Sequence, residues 1–270
     1  MKDYLGRTAT FSAMEFLSRI RWRLSRRVSL LSDDQIRAQP EESAEHLTGY
    51  QPLRDYSQHG EQKIIVRFFE AFSGPYSPYF VDAGAYDGIV GSNTRGLFEA
   101  GWSGLLIEPN PAVFDRLRAL YESNPRATCV RTALSNYVAS SVEILLSEGP
   151  SDTPDAIKWQ YAQVSTLNTK FAEVYERDFK YVYRKSAVEV TTLTELMRRH
   201  NVPPDLGFLS IDCEGEDPKV LEGLDMSEFK PRLLCVESDS QNRHVYTDFL
   251  TEKNYGYYAN TAGNTFYILK

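Results

Sequence analysis

Two short apolar runs, each ending on a carboxylate, constrain this chain most. Phe80-Val81-Asp82-Ala83-Gly84-Ala85-Tyr86-Asp87-Gly88 is followed by Leu105-Leu106-Ile107-Glu108-Pro109. An apolar run that stops on an acid and small residues reads as a buried parallel strand whose carboxyl end opens into a tight turn under a ligand. Gly84 and Gly88 let the backbone approach that ligand. Glu108 stands about twenty residues past the glycine turn, where an acid accepts hydrogen bonds from two ribose hydroxyls. The first run alone is equally well a strand, turn and helix with no ligand; the second acid at this spacing favours a nucleoside.

What is missing narrows the nucleoside. A nicotinamide or flavin dinucleotide needs G-x-G-x-x-G, whose second glycine makes room for pyrophosphate at a helix N-terminus. Here Ala85 and Tyr86 follow Gly84. Asp82 would repel a pyrophosphate and suits a cationic amino group, and S-adenosylmethionine carries an ammonium, a sulfonium and a ribose.

At 270 residues and 42% hydrophobic content, the chain can bury one substantial core and reads as one catalytic domain with an appendage. Its net charge of -7 argues against nucleic acid as a bulk partner. Residues 1–31 carry +5, from Lys2, Arg7, Arg19, Arg21, Arg23, Arg26 and Arg27 against Asp3 and Glu15, so the rest of the chain carries -12. Phe11, Met14, Phe16, Leu17, Ile20, Leu24, Val28 and Leu31 alternate with these arginines in the pattern of a basic amphipathic helix. Such an arm docks on an anionic membrane surface or partner enzyme, or packs on its own domain or a homodimer mate. Cys129, Cys213 and Cys235 lack C-x-x-C spacing and read as buried free thiols of a reducing compartment. With no transmembrane run and no signal-peptide core, the expected location is cytoplasmic.

Ile64, Ile65, Phe68, Phe69 and Phe72 recur at helical spacing until Gly74-Pro75 stops them. Strands are expected near 79–83, 104–108 and 127–131, with helices near 92–100 and 111–123 between them. Asn110 and Pro111 are a cap and first residue for the latter helix, and Val113, Phe114, Leu117, Leu120 and Tyr121 its buried stripe. After a short edge-like strand around Val142, Ile144 and Leu146, the pattern lapses over 147–188, a stretch rich in tyrosine and charge. It resumes at Thr192-x-x-Glu195, a capping box, with a helix, strand 206–211, a helix over 219–224, strand 233–236, a helix over 244–253 and strands 255–259 and 265–269. Alternating elements of this kind predict a mostly parallel sheet with helices on both faces. The last connection is too short for a parallel crossover and predicts an antiparallel hairpin.

Several segments taken in order resemble one family. They are Ser57-Gln58-His59-Gly60-Glu61, Phe80-Val81-Asp82-Ala83-Gly84-Ala85, Ser92-Asn93-Thr94, Gly101-Trp102-Ser103-Gly104, Ile107-Glu108-Pro109-Asn110-Pro111, Ala133-Leu134-Ser135, Ser165-Thr166 and Ile211-Asp212-Cys213-Glu214-Gly215-Glu216. Together they resemble the FkbM-type methyltransferases, S-adenosylmethionine-dependent enzymes that often methylate hydroxyls on sugars and secondary metabolites. The likeness covers residues 56–260, with Tyr86 where the family more often has Asn and Gln62 where it often has Asp. It implies an α/β class I (Rossmann-like) methyltransferase fold: a mostly parallel seven-stranded sheet with an antiparallel final hairpin. The expected domain is 46–270 with an insertion at 147–188, behind a helical arm and linker over 1–45.

The same resemblance implies Asp82, Gly84 and Gly88 around the methionine moiety, Glu108 on the ribose, Asn110 beside the adenosine and the Ala133-Leu134-Ser135 turn near the adenine. Tyr86, Ser92 and Pro109 fall in the same pocket, and Gln58 and Glu61 in a lid over it. Asn110 as a helix cap alone, and Ser135 as a turn residue alone, stay equally open.

Asp212, Glu214 and Glu216 follow one apolar strand, and Glu237 and Asp239 the next. In a parallel sheet both tips face one crevice. Methyl transfer is an in-line displacement, so an enzyme must align the reactants and remove the acceptor proton. A carboxylate among Asp212, Glu214 and Glu237 serves as general base, or Asp212, Glu237 and Asp239 hold Mg²⁺ or Mn²⁺ that acidifies the hydroxyl. Asp212 equally well holds the cofactor ammonium. His244 is a rival base, or only a group at a helix start. Tyr161, Tyr175, Tyr181 and Tyr183 stack on sugar rings or pack a lid.

The expected activity is O-methylation of a carbohydrate or glycosylated small molecule. Two rivals remain: a nicotinamide-dependent oxidoreductase or epimerase, disfavoured by the missing glycine and the lack of Tyr-x-x-x-Lys, and a non-catalytic interaction protein that has kept the fold.

Overall fold

The computed structural model describes residues 55–238 and 242–270. The basic arm, the linker and Asp239 lie outside the described residues. Seven strands form the main sheet: β1 (Ser77–Ala83), β2 (Ser103–Ile107), β3 (Ala127–Val130), β7 (Leu206–Ile211), β8 (Leu233–Glu237), β9 (Tyr255–Asn260) and β10 (Asn264–Leu269). Their order is β3-β2-β1-β7-β8-β10-β9. The first five pair in parallel, while β10 slots antiparallel between β8 and β9. This is the class I methyltransferase arrangement that the alternating pattern and final hairpin predict.

Period-two burial on both sides of the sheet makes two cores. Val81, Leu105, Leu209 and Val236 face α5 (Leu193–Arg199), α6 (Asp217–Glu222) and α7 (Arg243–Glu252) through Leu196, Leu221 and Leu250. Phe80, Leu106, Phe208 and Phe266 face α1 (Glu61–Ala71), α2 (Arg95–Glu99) and α3 (Pro111–Tyr121) through Phe68, Phe98 and Leu117. A sheet covered on both faces leaves its strands apolar throughout, which is why they were legible as continuous runs. Asn110 caps α3 as expected, its Oδ1 accepting from Ala112 N at 3.1 Å. Helix α2 starts later than position 92 because Ser92 Oγ accepts from Arg95 N at 3.0 Å, holding 92–94 as a turn.

The stretch over 147–188 builds regular structure of its own. β5 (Ala139–Pro150) pairs antiparallel with β6 (Tyr181–Thr191), and β6 pairs in parallel with β4 (Ala133–Leu134). Between β5 and β6 lie a 3₁₀ segment (Asp155–Val164) and α4 (Thr169–Phe179). β6 escapes a hydropathy reading because only Tyr181, Val190 and Thr191 are buried along it. Its stability comes from pairing with β5 rather than from an apolar face. Tyr175 and Tyr181 pack with Val164 in a small separate core, and the Tyr183 hydroxyl donates to Val164 O at 3.1 Å. Among the described residues, no helix is long and apolar enough to cross a membrane.

The crevice opens where the chain reverses its order, between β1 and β7. Gly84 closes that junction. Its φ is +90°, and a Cβ there would stand 1.8 Å from Asp212 O. Asp212 N in turn donates to Ala83 O at 2.9 Å. The missing side chain thus lets two strand ends touch, whereas Gly88 makes room for Leu117 and Tyr121. Gly84→Ala is expected to destabilise the protein by about 3 kcal/mol or more, through overpacking and a strained φ. Urea unfolding should show a lower midpoint at unchanged slope.

Candidate functional site

A cleft of about 930 Å³, counted to its open mouth, lies over the carboxyl ends of β1, β2 and β7 and reaches β4. Asp82 and Glu108 both line it, on neighbouring strands. Asp82 Oδ2 accepts from Thr94 Oγ1 at 2.6 Å, and burial pushes its carboxyl up to about 6. Glu108 Oε1 accepts from Asn110 N at 2.8 Å and Oε2 from Tyr86 N at 3.1 Å. Burial pushes Glu108 up to about 7, against the pull of those two N–H groups and with help from nearby Asp82 and Asp87. The two backbone donors fix the carboxylate and tie the turn after β1 to the turn after β2.

Tyr86 sits in that turn with φ +51°, a conformation that Asn adopts more readily than Tyr. Its side chain offsets the strain. The ring packs on Val113, Ala162 and Trp159, and the hydroxyl donates to Trp159 O at 3.0 Å. Arg116 lies 3.8 Å over the Trp159 ring.

Residues 159–168 form the far wall and are tied to the strand ends. Asn110 Nδ2 donates to Ser165 Oγ at 3.1 Å, Thr166 Oγ1 to Glu214 O at 2.8 Å, and Asn168 Nδ2 to Gly215 O at 3.0 Å. Asp217 organises the loop after β7: its carboxylate accepts from Cys213 N at 2.8 Å and Gly215 N at 3.1 Å. Glu214 and Gly215 both take positive φ there, at +51° and +88°. Burial raises the Asp217 carboxyl, and Glu237 beside it adds to the effect.

Of the residues expected in the cofactor pocket, Gln58, Asp82, Gly84, Tyr86, Ser92, Glu108, Pro109, Ala133, Leu134 and Asp212 line the cleft. Four stand back from it. Glu61 is fully buried, accepting from His59 N at 2.7 Å, Thr261 Oγ1 at 2.5 Å and Asn264 Nδ2 at 3.1 Å. It clasps the β9–β10 turn to the start of α1. Gly88 faces α3, Asn110 caps it, and Ser135 Oγ donates to Glu216 Oε1 at 2.9 Å.

Asp212 and Glu214 line the cleft, and with Glu237 they offer oxygens all within 4.8 Å of one another. Asp239, the third ligand expected from sequence, lies outside the described residues, and Glu214 takes the place beside the other two. His244 is exposed and off the cleft wall. The register of α7 explains this: Tyr246 and Leu250 face the core, and two residues back from Tyr246 is about 200° around the helix. Glu216 lines the wall as its strand-end position predicts, joined by Asn93, Thr132, Gln163, Ser165, Thr166 and Ser210, to which the sequence assigns no place there. Ser165-Thr166 was visible as a motif, but only the folded hairpin carries it over the strand ends.

A family model described as the methyltransferase FkbM domain matches residues 82–257. The chain belongs to the FkbM methyltransferase family. Solved structures similar to it include methyltransferase FkbM from Methylobacillus flagellatus KT, at 16% identity and TM-score 0.45 over 74% of this chain and 46% of that one. The FkbM chain here thus spans under half the length of that relative. Precorrin-6y C5,15-methyltransferase from Geobacter metallireducens GS-15 is similar at 10% identity and TM-score 0.37, over 77% of this chain and 88% of that one. A TehB-like SAM-dependent methyltransferase from Corynebacterium glutamicum ATCC 13032 Kitasato follows at 11% and 0.35, over 78% and 88%. No curated protein matches the chain.

The raised Asp82 carboxyl has a thermodynamic consequence. The folded state holds that proton more tightly than the unfolded chain, so the unliganded protein loses stability as pH rises from about 4 through 6. Asp82→Asn keeps an acceptor for Thr94 and cannot ionise. It is expected to gain on the order of 2 kcal/mol over the parent between pH 4 and pH 8. Melting temperatures of both proteins across that range would expose a pH-independent difference, which is the contrary result.

Proposed function

We propose that this chain is an S-adenosylmethionine-dependent O-methyltransferase acting on a hydroxyl of a carbohydrate or glycosylated small molecule. The observation that carries the cofactor assignment is the buried pair Asp82 and Glu108 on adjacent strands, each resisting ionisation because water is excluded. A ligand that brings a cationic ammonium to one and a hydroxylated ribose to the other relieves that cost. Asp82, with Gln58, Tyr86 and Ser92 around it, would hold the methionine end. Glu108 would take the ribose, while Ala133 and Leu134 border the base. When bound, the cofactor supplies a methyl group on a sulfonium.

The protein's remaining tasks are alignment and proton removal. A sugar hydroxyl is a very weak acid, so a base must stand at the acceptor oxygen as the methyl transfers. Asp212 and Glu214, with Glu237 behind them, supply it. Their oxygens lie within 4.8 Å of one another, so a carboxylate stands ready to take the proton of an acceptor held at this corner of the cleft. Ala162, Gln163, Ser165, Thr166 and Leu167 on the cleft wall would choose the acceptor. The same three carboxylates are the candidates for Mg²⁺ or Mn²⁺ in a second reading, favoured by their 4.8 Å grouping. The free thiols of Cys129, Cys213 and Cys235 fit work in the cytoplasm, and the basic arm would dock the enzyme on a membrane surface, a partner or its homodimer mate.

Glu108→Ala is expected to weaken S-adenosylmethionine binding by about 1–3 kcal/mol in isothermal titration; unchanged affinity would remove the ribose assignment. With a labelled-methyl cofactor and a fractionated glycan and metabolite extract, mass spectrometry should find the label on a hydroxyl oxygen. That transfer should survive EDTA and fall at least a hundredfold in Asp212→Asn. Loss in EDTA with recovery on adding Mg²⁺ would instead give the three carboxylates to a cation.

A further inference from the structure

The cleft wall over 162–167 carries the polar side chains Gln163, Ser165 and Thr166, and the protein itself occupies two of them. Ser165 Oγ donates to Ala162 O at 2.7 Å and accepts from Asn110 Nδ2 and Ser147 N, each at 3.1 Å. A hydroxyl has one proton and two lone pairs, so this one is saturated. Thr166 is buried, and its Oγ1 donates to Glu214 O and accepts from Asn168 N, both at 2.8 Å. Gln163 remains.

The bonds around Tyr86 decide which way the Gln163 amide points. The Tyr86 hydroxyl has a single proton, which goes to Trp159 O at 3.0 Å. Gln163 is a further side-chain hydrogen-bonding partner of the same hydroxyl. With its proton committed, the phenol oxygen can only accept there, so Gln163 must present its NH₂. Gln163 Nε2 also donates to Gln160 O, at 3.4 Å. The amide nitrogen is thereby held on the Tyr86 side, and Oε1 is turned away from it. Among the described residues Oε1 takes no hydrogen bond, and it is not sealed from solvent. Gln163 itself lies on the cleft wall between two fixed points. Tyr86 ties it to the turn after β1, and nearby Thr166 to the loop after β7 that carries Asp212 and Glu214.

Resting on the hydroxyl-methylation reading above, we propose that Gln163 selects the acceptor: its Oε1 accepts a hydrogen bond from a second hydroxyl of the molecule whose reacting hydroxyl meets Asp212 and Glu214. The site therefore takes polyols, because an acceptor with a single hydroxyl lacks the donor that Oε1 needs. Tyr86 acts as a positioning residue, since it sets which end of the amide is free.

The test uses the full chain, labelled-methyl cofactor and the acceptor purified from the labelled extract, together with its deoxy derivatives, each with one unmethylated hydroxyl replaced by hydrogen. In Gln163→Ala the KM for the acceptor is expected to rise about tenfold while S-adenosylhomocysteine affinity in isothermal titration holds. One deoxy derivative should lose about tenfold in kcat/KM with the parent and about twofold or less with Gln163→Ala, because the two changes remove the same bond. Tyr86→Phe should shrink the same discrimination. If Gln163→Ala does not fold, Gln163→Met, of similar length, serves in its place. An unchanged KM in a folded Gln163 variant, or equal losses for every derivative in parent and variant, would overturn the assignment. Absence of label from every molecule in the extract would instead sink the hydroxyl-methylation reading, and this one with it.

Discussion

Asp82 and Glu108 are held out of water on neighbouring parallel strands, and the rest of the site is arranged around the cost of keeping them there. A buried carboxylate needs donors or a cation. The protein supplies only part of what is required: one hydroxyl to Asp82 and two backbone N–H groups to Glu108. Those bonds fix where the acids point without satisfying their charge. On the proposed reading, a ligand that is cationic at one end and carries hydroxyls further along would supply the rest. The same two bonds to Glu108 join the turns after β1 and β2, so the acid that would read the ligand also braces the frame around it.

The second sheet makes the cleft a site rather than a groove. Its hairpin returns residues 159–168 over the strand ends, where Tyr86, Asn110, Glu214 and Gly215 hold them. Each of these four sits in a turn that also borders the crevice. The strain at Tyr86 belongs to this arrangement, because a left-handed tyrosine is tolerable only while its ring and hydroxyl are engaged. The turn after β1 and the roof are therefore one mechanical unit. The loop after β7 is held in a similar way: Asp217 gathers two of its N–H groups, which lets Glu214 and Gly215 take positive φ and brings Glu214 and Glu216 to the wall.

Much of the sheet was legible because strands buried on both faces carry unbroken apolar stretches, as 80–81 of β1, 105–107 of β2, 206–209 of β7 and 233–236 of β8 do. Capping chemistry marked α3 and α5 through Asn110 and Thr192. The hairpin of β5 and β6 was not legible. β6 is charged and mostly exposed, and its reason to be a strand lies in a partner some forty residues earlier rather than in its own pattern. Glu61 shows the opposite failure: a motif position beside the cofactor segments in sequence, yet its carboxylate is consumed by Thr261 and Asn264, two hundred residues away.

By itself, the sequence determined the parallel sheet, its antiparallel ending, the family and the pair of acids on β1 and β2. These follow from local hydropathy and from the spacing of a few residues, which any fold of the chain must respect. Tertiary structure alone decided which acids meet. It brought Glu237 to Asp212 and Glu214, left His244 on the outer face of α7, and set Glu216 from β7 against Ser135 from beyond β3. Such meetings depend on strand order and on where loops cross, and neither leaves a periodic trace in the chain.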